Sequence, residues 1–225
     1  MGKTLVAFNN VSRRFSLGSD KIIALAHASC EVKAGDRIAV MGPSGSGKST
    51  LLALMAQLDE PTEGIVSWPD FGVAKKLRPR HIGLAFQSPS LIPPLSAIEN
   101  VETPLLILGD IVNMRERAMA ALAVVGLGDM GDRLPEELSG GQVQRVGVAR
   151  ALVTAPELIL ADEPTGQLDQ ATGKNLVAAL LAHAEKTGAT LVIATHDQAV
   201  ARQMTSIWHM SHGELTTAQQ LDEAS

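Results

Sequence analysis

The spacing of apolar residues changes along the chain, and each change predicts an element. The runs "TLVAFNNV", "IIALAHASCEV", "GIVSW" and "HIGLAF" are short, apolar and β-branched, with glycine, proline or charge between them. Side chains of that kind fit a pleated, half-buried surface, so the first part of the chain is expected to be strand-rich. From Ser96 to Leu152 the apolar positions take helical spacing among Ala, Leu, Met and Glu, interrupted by "GLGDMGDRLPEELSGG". That stretch predicts a mostly helical lobe. Beyond it, "ELILAD" and "ATLVIATHD" lack polar alternation, as strands covered on both faces do, and the helical run from Gln170 to Lys186 joins them. Parallel strands with a crossover helix are the arrangement this predicts, giving an α/β fold of two lobes. No repeat at solenoid period is present, and the polar tail "TTAQQLDEAS" is expected to fray.

Composition narrows the picture without naming a chemistry. A chain of 225 residues with 45% hydrophobic content can bury a substantial core. A formal charge of -5 argues against a general nucleic-acid binder, which carries a basic excess on one face. The local exception is "KKLRPRH", with Lys75, Lys76, Arg78, Arg80 and His81 between two strand-like segments. No base-stacking aromatics are interleaved there, so it reads as a solvated hairpin or loop. Cys30 is the one cysteine, which leaves no internal disulfide and predicts a small buried thiol in a cytosolic setting. The opening "MGKTLVAFNNVSRRF" has no signal-peptide core, and Val6 breaks the myristoylation pattern. No run approaches the roughly 18 apolar residues that cross a bilayer; the longest, such as "LLILG" near Leu105, read as buried helix.

Four segments carry chemistry. The first is "GPSGSGKST", directly after the apolar "RIAVM" and before the helix-like "LLALMAQL". Glycines let a backbone curl so that several N–H groups point inward, and the helix that follows adds the positive end of its dipole. Gly42, Gly47, Lys48 and Ser49 fit the P-loop spacing, and the strand and helix it requires flank it. Gly42, Pro43, Ser44, Gly45, Ser46, Gly47, Lys48, Ser49 and Thr50 are therefore read together as a nucleoside-triphosphate cradle. Lys48 reaches the outer phosphates, Ser49 offers a hard oxygen suited to Mg2+, and Thr50 supports the inner phosphate.

The second segment, "LILADEP", is an apolar strand ending in adjacent carboxylates. It delivers Asp162 and Glu163 to the carboxyl edge of a parallel sheet, where phosphate-binding loops also emerge. Asp162 is expected to hold Mg2+ through water, and Glu163 to orient and partly deprotonate an attacking water. In the third, "THD", His196 follows a buried strand and is expected to hydrogen-bond the terminal phosphate. His209 and His212 have no evident third partner, so no metal is assigned to them. The fourth is "LSGGQVQRVGVARALV", where Ser139 is a natural N-cap and Gly140 and Gly141 expose helix-start N–H groups to an anion.

With that fourth segment the chain resembles the ATP-binding subunits of ABC transporters, whose signature sequence it matches, over nearly its whole length. The resemblance implies a P-loop NTPase fold with a mixed-sheet core, an antiparallel β subdomain and a helical subdomain. It also implies one domain, with residues 1–87 and 155–216 as the nucleotide-binding part, 88–154 as the helical part and 217–225 as tail. Phe15 falls where the family carries an aromatic that stacks on adenine; tyrosine is commoner there, and this chain has none. Gln87 falls at the glutamine that touches the magnesium site and faces the transmembrane partner. Asp169 matches the aspartate of the loop after the catalytic glutamate, where Gln167 replaces the more usual asparagine. His196 matches the switch histidine.

The resemblance further implies that Ser139, Gly140, Gly141 and Gln142 of one subunit cover ATP held by the other, in a head-to-tail homodimer around two ATP and Mg2+. Such a dimer would drive an integral membrane subunit supplied in trans, from the cytoplasmic face of the inner membrane and without nucleic acid. Glu163, His196, Lys48 and Gln87 are the catalytic set. Within the family, "PSLIPPLSAIENV" and "ELILADEPTGQLD" look most like the lipoprotein-release and macrolide-export type. Two other classes stand beside this one. A soluble ABC ATPase acting on DNA or ribosomes is expected to carry a coiled coil, a zinc motif or tandem units, none of which is visible. A regulatory module without catalysis is disfavoured by the presence of Glu163 and His196 together.

Overall fold

A computed structural model describes residues 2–17, 20–71 and 77–217. Lys75 and Lys76 of the basic run and residues 218–225 of the polar tail lie outside the described residues. In chain order the strands are β1 Thr4–Leu17, β2 Asp20–Lys33, β3 Arg37–Met41, β4 Glu63–Ser67, β5 Ile82–Ala85, β6 Leu158–Asp162, β7 Thr190–Thr195, β8 Ser206–Ser211 and β9 Glu214–Thr216. The α-helices are α1 Lys48–Met55, α2 Ala97–Leu108, α3 Met114–Val124, α4 Gly140–Leu152, α5 Gln170–Thr187 and α6 Gln198–Ala201. The chain divides into two compact units, Met1–Leu77 with Val192–Ser225 and Arg78–Leu191, so that β7 straddles the division.

The first unit holds an antiparallel sheet in the order β2-β1-β4. Its buried face is built from facing apolar pairs, Val6 with Val32, Phe8 with Cys30 and Val11 with Ala28, which are what stabilise an antiparallel ladder. The Cys30 thiol is buried as the sequence predicts, and burial, helped by the neighbouring Glu31 charge, pushes its pKa up to about 12. In the same unit β3 runs parallel to β8, and β8 is antiparallel to β9, so this sheet is mixed. Ile38, Ala39 and Val40 of β3 are buried without a break. This explains why "RIAVM" shows no polar alternation.

The second unit joins the parallel pair β5 and β6 to a helical part. Helix α2 starts at Ser96 in a capping box, with the Ser96 N–H donating to Glu99 Oε2 at 2.7 Å and the Glu99 N–H to Ser96 Oγ at 3.5 Å. Ile98, Val101 and Leu105 form its buried stripe. The expectation that "LLILG" is buried helix needs correction here, because Leu106 is 53% and Ile107 76% exposed. Each residue turns the helix by roughly 100°, so the positions after Leu105 rotate off the stripe. At 18 residues α5 is the longest helix described, ending at Gly188 with φ 71. No described helix is long and apolar enough to cross a membrane.

Helix α4 carries Gly147 in its interior, where glycine is less favourable than alanine by about 0.8–1 kcal/mol. The reason lies in packing: a Cβ at Gly147 would run into the ring of Pro89. Gly147→Ala is therefore expected to lower stability, by roughly 1–3 kcal/mol of overpacking, despite the better helix propensity of alanine. Urea denaturation of the two proteins measures the difference.

Candidate nucleotide-binding and hydrolysis site

In the first unit the glycine-rich loop expected to cradle phosphate leaves the buried strand β3 and enters α1. Two glycines are indispensable to its path. A Cβ at Gly42 would collide with the Met210 carbonyl of β8, and one at Gly47, whose φ is 106, with the Ala24 carbonyl of β2. The loop is tied down by the Ser46 N–H to Pro43 O at 3.2 Å and the Gly213 N–H to Ser46 O at 3.0 Å. Pro43, Ser44 and Gly45 are exposed at its tip, Ser49 is exposed, and Thr50 lies in the first turn of α1. Lys48 is only 6% exposed, and its Nζ donates to the Gly42 carbonyl at 2.8 Å and the Pro43 carbonyl at 3.0 Å. The ammonium is thus held on the loop that it is expected to serve. Ser46 Oγ, in a residue 3% exposed, has no hydrogen-bond partner among the described residues. It is a hydroxyl suited to a polar ligand in the cradle.

His196 follows β7 and is exposed. With Met41, Gly42, Pro43, Arg202 and His209 it lines a cleft of about 470 Å³ beside the start of the cradle. Asp197 takes its place as the cap of α6, its carboxylate accepting from the Ala199 N–H at 2.7 Å. Phe15 sits on β1 and is 39% exposed. The Arg13 guanidinium lies over its ring, 4.4 Å from the centroid, within the range of a cation–π contact. Asp59 grips that guanidinium through Nε and Nη2, both at 2.8 Å. The aromatic therefore presents a ring whose orientation is set by a neighbouring ion pair.

In the second unit β6 is buried along its length and ends at Asp162, with Glu163 directly after it; the two are 8% and 7% exposed. Glu163 adopts φ 46, in the left-handed region that non-glycine residues rarely occupy. Backbone strain of this kind concentrates where a side chain must be aimed. Gln87 lies exposed two residues beyond β5. At the start of α4, the Ser139 N–H donates to Gln142 Oε1 at 2.7 Å and the Gln142 N–H to Ser139 Oγ at 3.3 Å. This capping box leaves Ser139 and Gly140 exposed. A Cβ at Gly141 would press on Leu168 Cδ2 at 2.7 Å, and one at Gly140 on Gln167 Oε1 at 3.1 Å. Both glycines thus admit the loop before α5. Asp169 caps α5, accepting from the Ala171 and Thr172 N–H groups at 3.0 Å and from Thr172 Oγ1 at 2.6 Å.

Some contributors were not anticipated from the residues. Arg150 donates to the Ser90 carbonyl at 3.0 Å, and Pro89 fills the space over Gly147, so α4 also holds the segment that follows Gln87. Gln144 lies on the buried side of α4 and bonds the Glu163 carbonyl. Its position was visible in principle: Gln144, Gly147, Val148 and Ala151 follow the i, i+3, i+4, i+7 spacing of a buried stripe, so one amide stands among small and apolar residues. The Arg13–Asp59 pair, by contrast, joins residues far apart in the chain and leaves no local pattern.

Comparison with known proteins identifies the family. Residues 10–166 match the ABC transporter family. A dimeric ATP-binding cassette solved in a post-hydrolysis state with ADP and phosphate superposes with a TM-score of 0.87 at 38% identity, covering 95% of this chain and 98% of that one. The lipoprotein-releasing system ATP-binding protein of Syntrophus aciditrophicus is 39% identical over 222 residues, which is 95% of this chain and 99% of that protein. A macrolide export ATP-binding/permease protein of Burkholderia thailandensis is 40% identical over 223 residues, 96% of this chain but 34% of that longer protein. The chain belongs to the ABC transporter family, as an ATP-binding and ATP-hydrolysing subunit with the cassette fold.

The hydrogen bonds to Thr172, first from its hydroxyl and then from its N–H, hold the Asp169 carboxyl below the ordinary range. A depressed folded-state pKa means that the cap stabilises the protein fully above the unfolded pKa and is lost as pH falls through the folded value. Asp169→Asn removes that titration. The stability gap between wild type and Asp169→Asn is expected to be constant near neutral pH and to shrink in acid below the ordinary carboxylate range. Urea denaturation at stepped pH values reads it.

Proposed function

We propose that the chain is the motor of a membrane transport or membrane-extraction machine, closing head-to-tail with a second copy around two ATP and opening after hydrolysis. The observation that carries this reading is the presence of two separate phosphate-type surfaces. One is the glycine cradle with its bound-back lysine in the first unit, and the other is the capped, glycine-opened start of α4 in the second. One ATP needs one cradle, so a second exposed helix start on the same chain has a use if it meets the nucleotide of another copy. The dimeric relative supports this assembly.

In this reading Phe15 stacks on the adenine; base stacking is worth about 1–3 kcal/mol and does not need a phenolic hydroxyl. Lys48 and the loop N–H groups from Gly42 to Thr50 hold the phosphates, and the loop's fixed backbone means little has to reorganise on binding. His196, on the cleft wall beside Gly42, bonds the terminal phosphate. Glu163 orients the attacking water and takes its proton. Ser139, Gly140, Gly141 and Gln142 cover the terminal phosphate from the other subunit, while Asp169 fixes the start of α5 behind that lid.

Ser49, Gln87 and Asp162 each offer a side-chain oxygen, the ligand that Mg2+ prefers, and the short, buried approach of β6 keeps the Asp162 carboxylate in place. When bound, Mg2+ would offset the charge of the outer phosphates. Hydrolysis removes the terminal phosphate, and with it contacts shared by both subunits, so the closed state loses its differential stabilisation.

We assign residues 1–87 and 155–216 to nucleotide binding and 88–154 to the helical part that meets an integral membrane subunit through the Gln87 region, at the cytoplasmic face of the cell membrane. The cargo we assign is a lipoprotein, peptide or drug; the names of the relatives, one part of a lipoprotein-releasing system and one a macrolide export ATP-binding/permease protein, support its lipoprotein and drug members. Nucleic acid has no place in this reading.

Glu163→Gln is expected to keep ATP affinity while lowering turnover on the order of a hundredfold or more, as removal of a general base does, and to trap the dimer. Steady-state phosphate release, nucleotide titration and light scattering measure the three effects; normal turnover would contradict the role of Glu163. In the same assays Ser139→Arg is expected to bind ATP and yet remain monomeric. ATP-dependent dimerisation at the wild-type level would remove the basis for the shared lid.

A further inference from the structure

Gln144 is 1% exposed, an unusual setting for a primary amide. Both ends of that amide are engaged. Its Nε2 donates to the Glu163 carbonyl at 2.7 Å, and its Oε1 accepts from the Gln167 N–H at 2.9 Å. The two partners are the ends of one tight turn, which also contains the Gly166 N–H to Glu163 O bond at 3.1 Å. Gln144 thus spans this turn from the side of α4, and the residue at its start has the strained φ of 46. The direction of the Glu163 carbonyl and the direction of its side chain are set by the same backbone torsions. A bond that holds the carbonyl therefore also holds the direction in which the Glu163 Cβ leaves the backbone, from which its rotamers start.

The other end of the argument is α4 itself. Gln144 lies one turn beyond the Ser139 capping box, on the helix whose start forms the lid. A helix moves as a rigid rod over so short a span, so displacement of the lid is carried directly to the Glu163 turn of the same chain. In the assembly proposed above, the lid of a subunit is assigned to ATP on its partner and Glu163 to the ATP of its own subunit.

We propose that Gln144 is a positioning residue that couples closure over one nucleotide to the aim of the glutamate at the other. The amide is the linkage: closure of the lid draws Glu163 into its working orientation through the two hydrogen bonds of Gln144. This rests on the dimeric ATPase reading above.

Two variants test it. Gln144→Met keeps an unbranched side chain of similar bulk and removes both hydrogen bonds. Gln144→Glu keeps an acceptor for Gln167 and loses the donor to Glu163. Each is compared with wild type and Glu163→Gln for folding by urea denaturation, for affinity with a fluorescent ATP analogue, and for hydrolysis against ATP concentration. The expected result is a folded protein that binds nucleotide within about threefold of wild type. Its kcat falls on the order of tenfold to a hundredfold, the scale of a misplaced catalytic group, and its Hill coefficient moves toward unity.

Unchanged kcat and cooperativity in both variants would overturn the proposal. So would parallel loss of folding or nucleotide affinity in both, which would make Gln144 a purely structural residue. A wild-type protein without cooperative hydrolysis, or a Glu163→Gln protein that turns over normally, would instead strike at the dimeric ATPase reading itself.

Discussion

Two backbone carbonyls, those of Ala24 and Met210, come so near the ends of the phosphate loop that no side chain fits at Gly47 or Gly42. This crowding decides the rest of the first unit's site. It reserves both positions for glycine, and at Gly47 the chain makes a left-handed turn directly ahead of α1, while the Gly213 N–H to Ser46 O bond ties the loop down. A loop clamped in this way keeps its N–H groups in place without help from a ligand, and it gives Lys48 two carbonyls on which to rest. Preorganisation of this sort is what makes fixed dipoles effective toward phosphate.

The second unit solves a related problem with one helix. Helix α4 begins in an exposed capping box, buries an amide against the Glu163 turn, receives Pro89 at Gly147 and holds Ser90 through Arg150. Three segments of separate chemistry therefore share a single rigid support. Such an arrangement favours discrete, concerted rearrangement over independent wobble of each loop, because packed interfaces are not continuously deformable.

Much of this was legible in the residues. "RIAVM" is β3 residue for residue, and the helix expected from Gln170 to Lys186 is α5, extended by Thr187. Both are strongly patterned and bounded by their own caps or glycines. The contiguous motifs were equally readable, since a P-loop or a capped glycine pair needs only neighbours in sequence. What escaped was the chemistry of distance. The Arg13–Asp59 grip that orients Phe15 depends on a contact across 46 residues, and the two bonds of Gln144 reach 19 and 23 residues away. The fate of "LLILG" was misread for a different reason: hydrophobicity alone does not say where a helical stripe ends, and Leu106 and Ile107 fall just past it.

The sheet of the first unit also has a practical consequence. Cys30, the sole thiol of the chain, is buried against Phe8, and its high pKa leaves almost no thiolate near neutral pH. Maleimides and other sulfur-directed reagents attack thiolate, so the native protein is in effect silent toward them. A single cysteine introduced on an exposed loop would carry a spin label or fluorophore by itself, without first stripping the chain of its own sulfur, and distances between two labelled copies would follow directly from the unaltered background.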